Sequence, residues 1–245
     1  MFAILLFFLP LLISATPLSD ADIETRDLNT FDKVFWVNRG RYQCTSGQKA
    51  DILAAINEAQ VIVKKAVTAL SLSRSEKSKA YVTWFGKGNA SPQTRLSIFQ
   101  HNYQSVATNL VPPTLPLRLE EVGWDVPFPA TKKSLVYACE PEDVLINGQR
   151  MFAITRTANS GVPDFGPTYV SFYPEFFTQT TGLRIEEASK QWRLQNKLDN
   201  EVAYIRSLTL IHEFQHMSRV TGLGRHCIDV QHPTIESASC YSVDW

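Results

Sequence analysis

Five consecutive residues, His212-Glu213-Phe214-Gln215-His216, carry the strongest chemical signal in the chain. On a helix, residues four apart project from one face, so both imidazoles can reach a single metal ion. Glu213, one position along, stands close enough to take a proton from a water held by that ion without being a ligand itself. Zinc suits imidazole ligands, lowers the pKa of its water towards about 7 and polarises a carbonyl. Glu213 is then the expected general base, and later hands the proton to the leaving amine. That chemistry is peptide-bond hydrolysis. The neighbours Tyr204, Ile205, Leu208, Leu210 and Ile211 make the helix nearly all apolar. Without a metal, its histidines and Glu213 would be buried polar groups, costing several kcal/mol if left unpaired. The competing reading is a helix whose histidines satisfy only each other and the backbone.

Such a motif supplies two ligands and a base, so a third ligand is expected downstream among His226, Asp229, His232 and Glu236. The metzincin pattern requires a histidine six residues after His216, and that position is Gly222, which excludes it. Glu236 lies twenty residues after His216, a spacing like that of thermolysin-like gluzincins, and Ile235-Glu236-Ser237-Ala238-Ser239 can start a helix. Asp229 lies thirteen residues after His216, beyond a loop bearing Gly222 and Gly224 that can turn the chain back towards the metal. Spacing leaves both acids open. His226 and His232 read as solvated loop residues or as accessory contacts to metal or substrate.

The compartment follows from the start of the chain. Phe2 to Ile13 is an apolar run followed by Ser14, Ala15 and Thr16. It is too short to span a bilayer and has the form of a signal-peptide core with a small-residue cleavage site, although no Lys or Arg precedes it. Residues 1–17 are therefore expected to be removed, 18–40 to form a polar N-terminal arm, and 41–245 to form one domain. The product is expected to be exported, extracellular, monomeric and free of the membrane. With 24 basic and 24 acidic residues, the chain has no charge excess to suggest a nucleic acid partner. Hydrophobic residues at 44% and aromatics at 11% indicate a packed core. In an exported chain, Cys44, Cys139, Cys227 and Cys240 suggest two disulfides. Four cysteines permit three pairings, of which Cys227 with Cys240 as a local loop and Cys44 with Cys139 is one; the lack of any C-x-x-C clip sets a thiolate zinc site aside.

The elements that must hold the motif are legible in outline. A helix begins after Thr45 or Ser46, with Ile52, Ile56, Ala59, Val63, Ala66 and Leu70 on its inward face. Ser91-Pro92 opens another, with a stripe of Leu96, Phe99, Tyr103, Val106 and Leu110, and Pro112-Pro113 stops it. His101 falls off that stripe and reads as a surface residue. Asn89-Ala90-Ser91 is a glycosylation sequon on a loop. Leu135–Cys139, Met151–Thr155 and Tyr169–Phe172 read as strands, with Asn147-Gly148 as a hairpin turn between the first two and residues 156–168 as a loop. Helix resumes near Ile185 and runs through Glu201 to Val220. Helices, then a small sheet, then helices is an α+β layout.

Taken in order, these segments resemble the aspzincins, the deuterolysins and peptidyl-Lys metalloendopeptidases of fungi. Cys44-Thr45-Ser46-Gly47-Gln48 opens an alanine-rich helix as in that family, and Phe85-Gly86 followed by the Thr94-Arg95 helix resembles its next element. Tyr169-Val170-Ser171-Phe172-Tyr173-Pro174-Glu175-Phe176-Phe177 resembles its strand and double-aromatic turn. Leu210 to His216 matches its zinc helix most closely. The resemblance implies a zincin-like metallopeptidase fold, mainly helical with a small mixed sheet. It implies Zn2+ as cofactor, His212, His216 and Asp229 as ligands, Glu213 as catalytic residue, and proteins or peptides as substrates. The family's Gly-Thr-x-x-Asp loop and its following Tyr-Gly pair are not reproduced around Asp229, Tyr241 is only a distant counterpart of that tyrosine, and a closing helix is expected beyond Trp245. These departures sustain an alternative, a secreted zinc-binding effector with little or no catalysis on the same scaffold.

Overall fold

Val34-Phe35-Trp36-Val37 is an apolar run without alternation, the pattern of a strand covered on both faces. In the computed structural model, which describes residues 30–118, 133–146, 149–157, 167–178, 206–222, 228–231 and 239–242, this run is the middle of strand β1 (Lys33–Arg39). An N-terminal arm reaching residue 40 is therefore incorrect for its last part. Val34 and Phe35 are each 6% exposed and Val37 is fully buried, so their burial outweighs the polar character of the residues upstream.

The chain then enters helix α1 (Ser46–Ser71), started by a reciprocal cap between Thr45 and Gln48. All six residues of the expected inward stripe are buried. Helix α2 (Lys79–Phe85) follows. The next helical segment comprises α3 (Pro92–Ser97), a π-helical stretch (Ile98–Gln104) and α4 (Ser105–Asn109), with Ser91 accepting from the Thr94 N–H at its start. Tyr103, Val106 and Leu110 of the expected stripe are buried and Phe99 packs on the core, and the π turn displaces only Leu96. Ile98 is buried while Leu96 is exposed, because the extra residue per turn rotates the face that meets α1. His101 is half-buried within that turn.

Strand β2 (Leu115–Arg118) lies parallel to β1 at one edge of a five-stranded sheet, where Pro116 is tolerated. The sheet continues through β3 (Ser134–Cys139) and β7 (Thr168–Phe172) to β6 (Ala153–Thr157), in the order β2-β1-β3-β7-β6. Neighbours are parallel except β6 with β7. Asn147-Gly148 joins β4 (Leu145–Ile146) to β5 (Gln149–Arg150), a separate two-stranded ribbon, and not the longer strands on either side. β3 is committed on both edges to parallel partners, which leaves β6 to pair antiparallel with β7. The expected loop 156–168 is strand at both ends, and its middle lies outside the described residues.

One face of the sheet, including Val34, Leu135, Tyr137, Val170 and Phe172, packs with the helices into the main core. The other buries Phe35, Val37, Val136, Ala138 and Tyr169 as a smaller cluster. A disulfide joins Cys44, just before α1, to Cys139 at the end of β3. Cys227 lies outside the described residues. The architecture is α+β, mainly helical among the described residues, with a small mixed sheet. No helix among those residues is long and apolar enough to cross a membrane.

Candidate metal centre

The motif falls on helix α6 (Arg206–Gln215), which crosses the sheet-facing layer against α1 and β6. Leu208, Leu210, Ile211 and Phe214 are buried on several sides of it, which seats the helix firmly. Its first described residue is clamped. Arg206 donates from Nε to the Phe176 carbonyl (3.0 Å) and from Nη2 to the Phe177 carbonyl (3.1 Å). Those acceptors belong to helix α5 (Pro174–Phe177), and Nη1 pairs with Asp51 of α1 at 2.8 Å. One planar guanidinium thus ties three helices together, six residues before His212.

The helix does not run on to Val220. It ends at Gln215, Met217 is extended, and a short helix α7 (Ser218–Thr221) follows. The last turn tightens so that His216 donates its backbone N–H to the Glu213 carbonyl at 3.2 Å.

This turn brings the two imidazoles together, with His212 Nε2 and His216 Nε2 2.9 Å apart and the rings nearly perpendicular at 87°. Glu213 is 4% exposed, and its Oε1 lies 3.6 Å from His212 Nε2. The ligand atoms of the three residues all lie within 4.8 Å of one another. Two nitrogens on a tetrahedral zinc stand about 3.3 Å apart, given bonds of roughly 2.0–2.1 Å. The imidazoles reach that spacing with a small opening, so these two donors are compatible with the ion. The 2.9 Å contact equally suits a hydrogen bond between one protonated and one bare nitrogen. A metal and that proton compete for the same lone pairs.

Sequence reasoning did not find the partner of Glu213. Thr155 of β6 places Oγ1 2.9 Å from Glu213 Oε2 and 3.0 Å from the Glu213 carbonyl oxygen. Its signal was present as a polar residue at an inward position of a strand, in step with buried Ala153. A second polar group lies nearby. Arg156 donates from Nη2 to the Tyr173 hydroxyl at 2.8 Å and stands 3.9 Å from Glu140 Oε1. Burial raises the pKa of the Tyr173 hydroxyl. The Arg156 charge opposes that shift, and the carboxylates of Glu140 and Glu213 reinforce it. Tyr173 is thus within electrostatic reach of Glu213.

Asp229 lies on β8 (Ile228–Gln231), its backbone paired with Tyr241 of β9 (Ser239–Ser242). Its side chain lies outside the described residues, as do His226, His232 and Glu236. A helix beginning near Glu236 does not continue at Ser239, which opens β9. Comparisons of the chain with protein-family models, with curated proteins and with solved structures return no match.

Proposed function

We propose that this chain is an exported zinc-dependent endopeptidase of the aspzincin type. The observation that carries the reading is the convergence of His212 Nε2, His216 Nε2 and the Glu213 carboxylate within 4.8 Å on one buried helix. A structural helix has little use for a nearly buried carboxylate beside two imidazoles. His212 and His216 supply two ligands, and Asp229 is the third by resemblance. When bound there, zinc activates water and polarises the scissile carbonyl. Glu213 accepts a proton at Oε1 and delivers it to the departing amine. β6 is outermost among the described strands of its sheet and touches Glu213 through Thr155. An extended peptide can add as a strand at such a position, a mode of recognition suited to proteins and peptides as substrates. The Cys44–Cys139 disulfide supports an oxidising, extracellular setting.

The deciding experiment measures zinc content and casein hydrolysis for wild type and Glu213→Gln. About one zinc per chain in both, with proteolysis only in wild type, is the expected result. Zinc in both with proteolysis in neither replaces this reading with a zinc-binding effector. Absence of zinc from both leaves the histidine pair as a hydrogen-bonded structural feature. Asp229→Ala is expected to lose zinc and Glu236→Ala to keep it; the reverse pattern reassigns the third ligand.

A further inference from the structure

Resting on the peptidase reading, we propose that Thr155 is the positioning residue of Glu213, holding Oε2 so that Oε1 is presented to the metal position. A threonine hydroxyl carries one proton, and here it faces two acceptors of a single residue, Oε2 at 2.9 Å and the backbone oxygen at 3.0 Å. The backbone oxygen already accepts from the His216 N–H at 3.2 Å. In the peptidase reading Glu213 is the base and therefore ionised, and an ionised oxygen is the stronger acceptor, which directs the hydroxyl proton to Oε2. Oε1 is left on the side of His212, 3.6 Å from its Nε2.

The base is thereby held from outside its own helix. Thr155 is 58 residues from Glu213 in sequence and sits on β6, so the contact sets the carboxylate against the sheet. A glutamate side chain turns about three bonds. Fixing one oxygen leaves the other in one place, and catalysis is sensitive to such placement. The threonine methyl and β-branch favour a strand backbone and restrict χ1, so the hydroxyl is itself held in direction.

The test compares Thr155→Val, which keeps the shape and removes the hydroxyl, with Thr155→Ser, which keeps the hydroxyl. With zinc content equal in all three proteins, Thr155→Val is expected to lower kcat roughly 10- to 100-fold, with KM nearly unchanged. Thr155→Ser is expected to stay within about threefold of wild type, since its hydroxyl can still donate. A second readout needs neither zinc nor activity. In the metal-free protein, the urea midpoints of Thr155→Val, Glu213→Leu, which has no acceptor for the hydroxyl, and the double variant are expected to be non-additive, the double variant losing less than the two single shifts combined. Unchanged kcat in Thr155→Val, an equal loss in Val and Ser variants, loss of zinc in Thr155→Val, or additive midpoints each overturns the proposal. A wild type that binds zinc and cleaves nothing overturns the peptidase reading itself. In that case non-additive midpoints show the Thr155–Glu213 bond without a catalytic role.

Discussion

An imidazole offers a metal ion one lone pair, and two imidazoles one helical turn apart offer theirs at one point. His212→Ala and His216→Ala are each expected to weaken zinc binding by more than about 100-fold, since even outer-shell changes cost about 10- to 100-fold. Competition with a chelator of known affinity measures this, and full retention of zinc in either variant would remove that histidine from the ligand set. Asn89 is decided by the same kind of local accounting. It is only 8% exposed, and its Nδ2 donates to the Phe85 carbonyl at 2.7 Å. The sequon Asn89-Ala90-Ser91 is therefore expected to carry no glycan, because the acceptor nitrogen is engaged and shielded. Mass spectrometry of the exported protein checks this. Asn89→Ala is expected to cost about 1–3 kcal/mol by leaving that carbonyl unpaired.

Elements are held in place by a few long-range ties. Cys44 and Cys139 are separated by 95 residues, joining the start of α1 to the end of β3. A loop of that length restricts the unfolded chain by about 4–5 kcal/mol in the chain-entropy account. The double Cys44→Ser, Cys139→Ser variant is expected to show most of that loss in denaturant unfolding, and an unchanged midpoint would deny the bridge a stabilising role. The clamp at Arg206 acts on one helix. Arg206→Lys keeps the charge and gives up the planar fork that meets Phe176 and Phe177, at an expected cost of about 1–3 kcal/mol. Hydrogen exchange should rise first in the turn of α6 that carries Arg206. A uniform rise across the sheet would instead indicate global destabilisation.

For the molecule as a whole, buried phenols set an alkaline limit. Burial pushes the hydroxyls of Tyr81, Tyr137, Tyr169 and Tyr173 above their ordinary value of about 10. The folded chain therefore keeps protons that the unfolded chain releases. Their contribution to stability is fully present below about pH 10 and is lost as pH rises from there through the raised folded values. The melting temperature is expected to fall above about pH 10, with tyrosinate absorbance appearing together with unfolding. Tyrosinate appearing well before unfolding would mean that these phenols are not enclosed. The sequence alone determined whatever depends on neighbours within a few turns. That covers a cap at Thr45 or Ser46, the buried stripe of α1, the cap at Ser91, the strands around Val136 and Val170, and the pairing of His212 with His216. Tertiary structure decided the rest, because the relevant partners lie far apart in the chain. Lys33–Arg39 became a strand only because two faces of protein cover it. Leu145–Ile146 and Gln149–Arg150 paired as a small ribbon while β3 kept parallel neighbours on both edges. Thr155 met Glu213 only once β6 had been laid beside β7 and α6 packed across it. A residue's spacing along the chain shows the face on which it sits; only packing shows what that face meets.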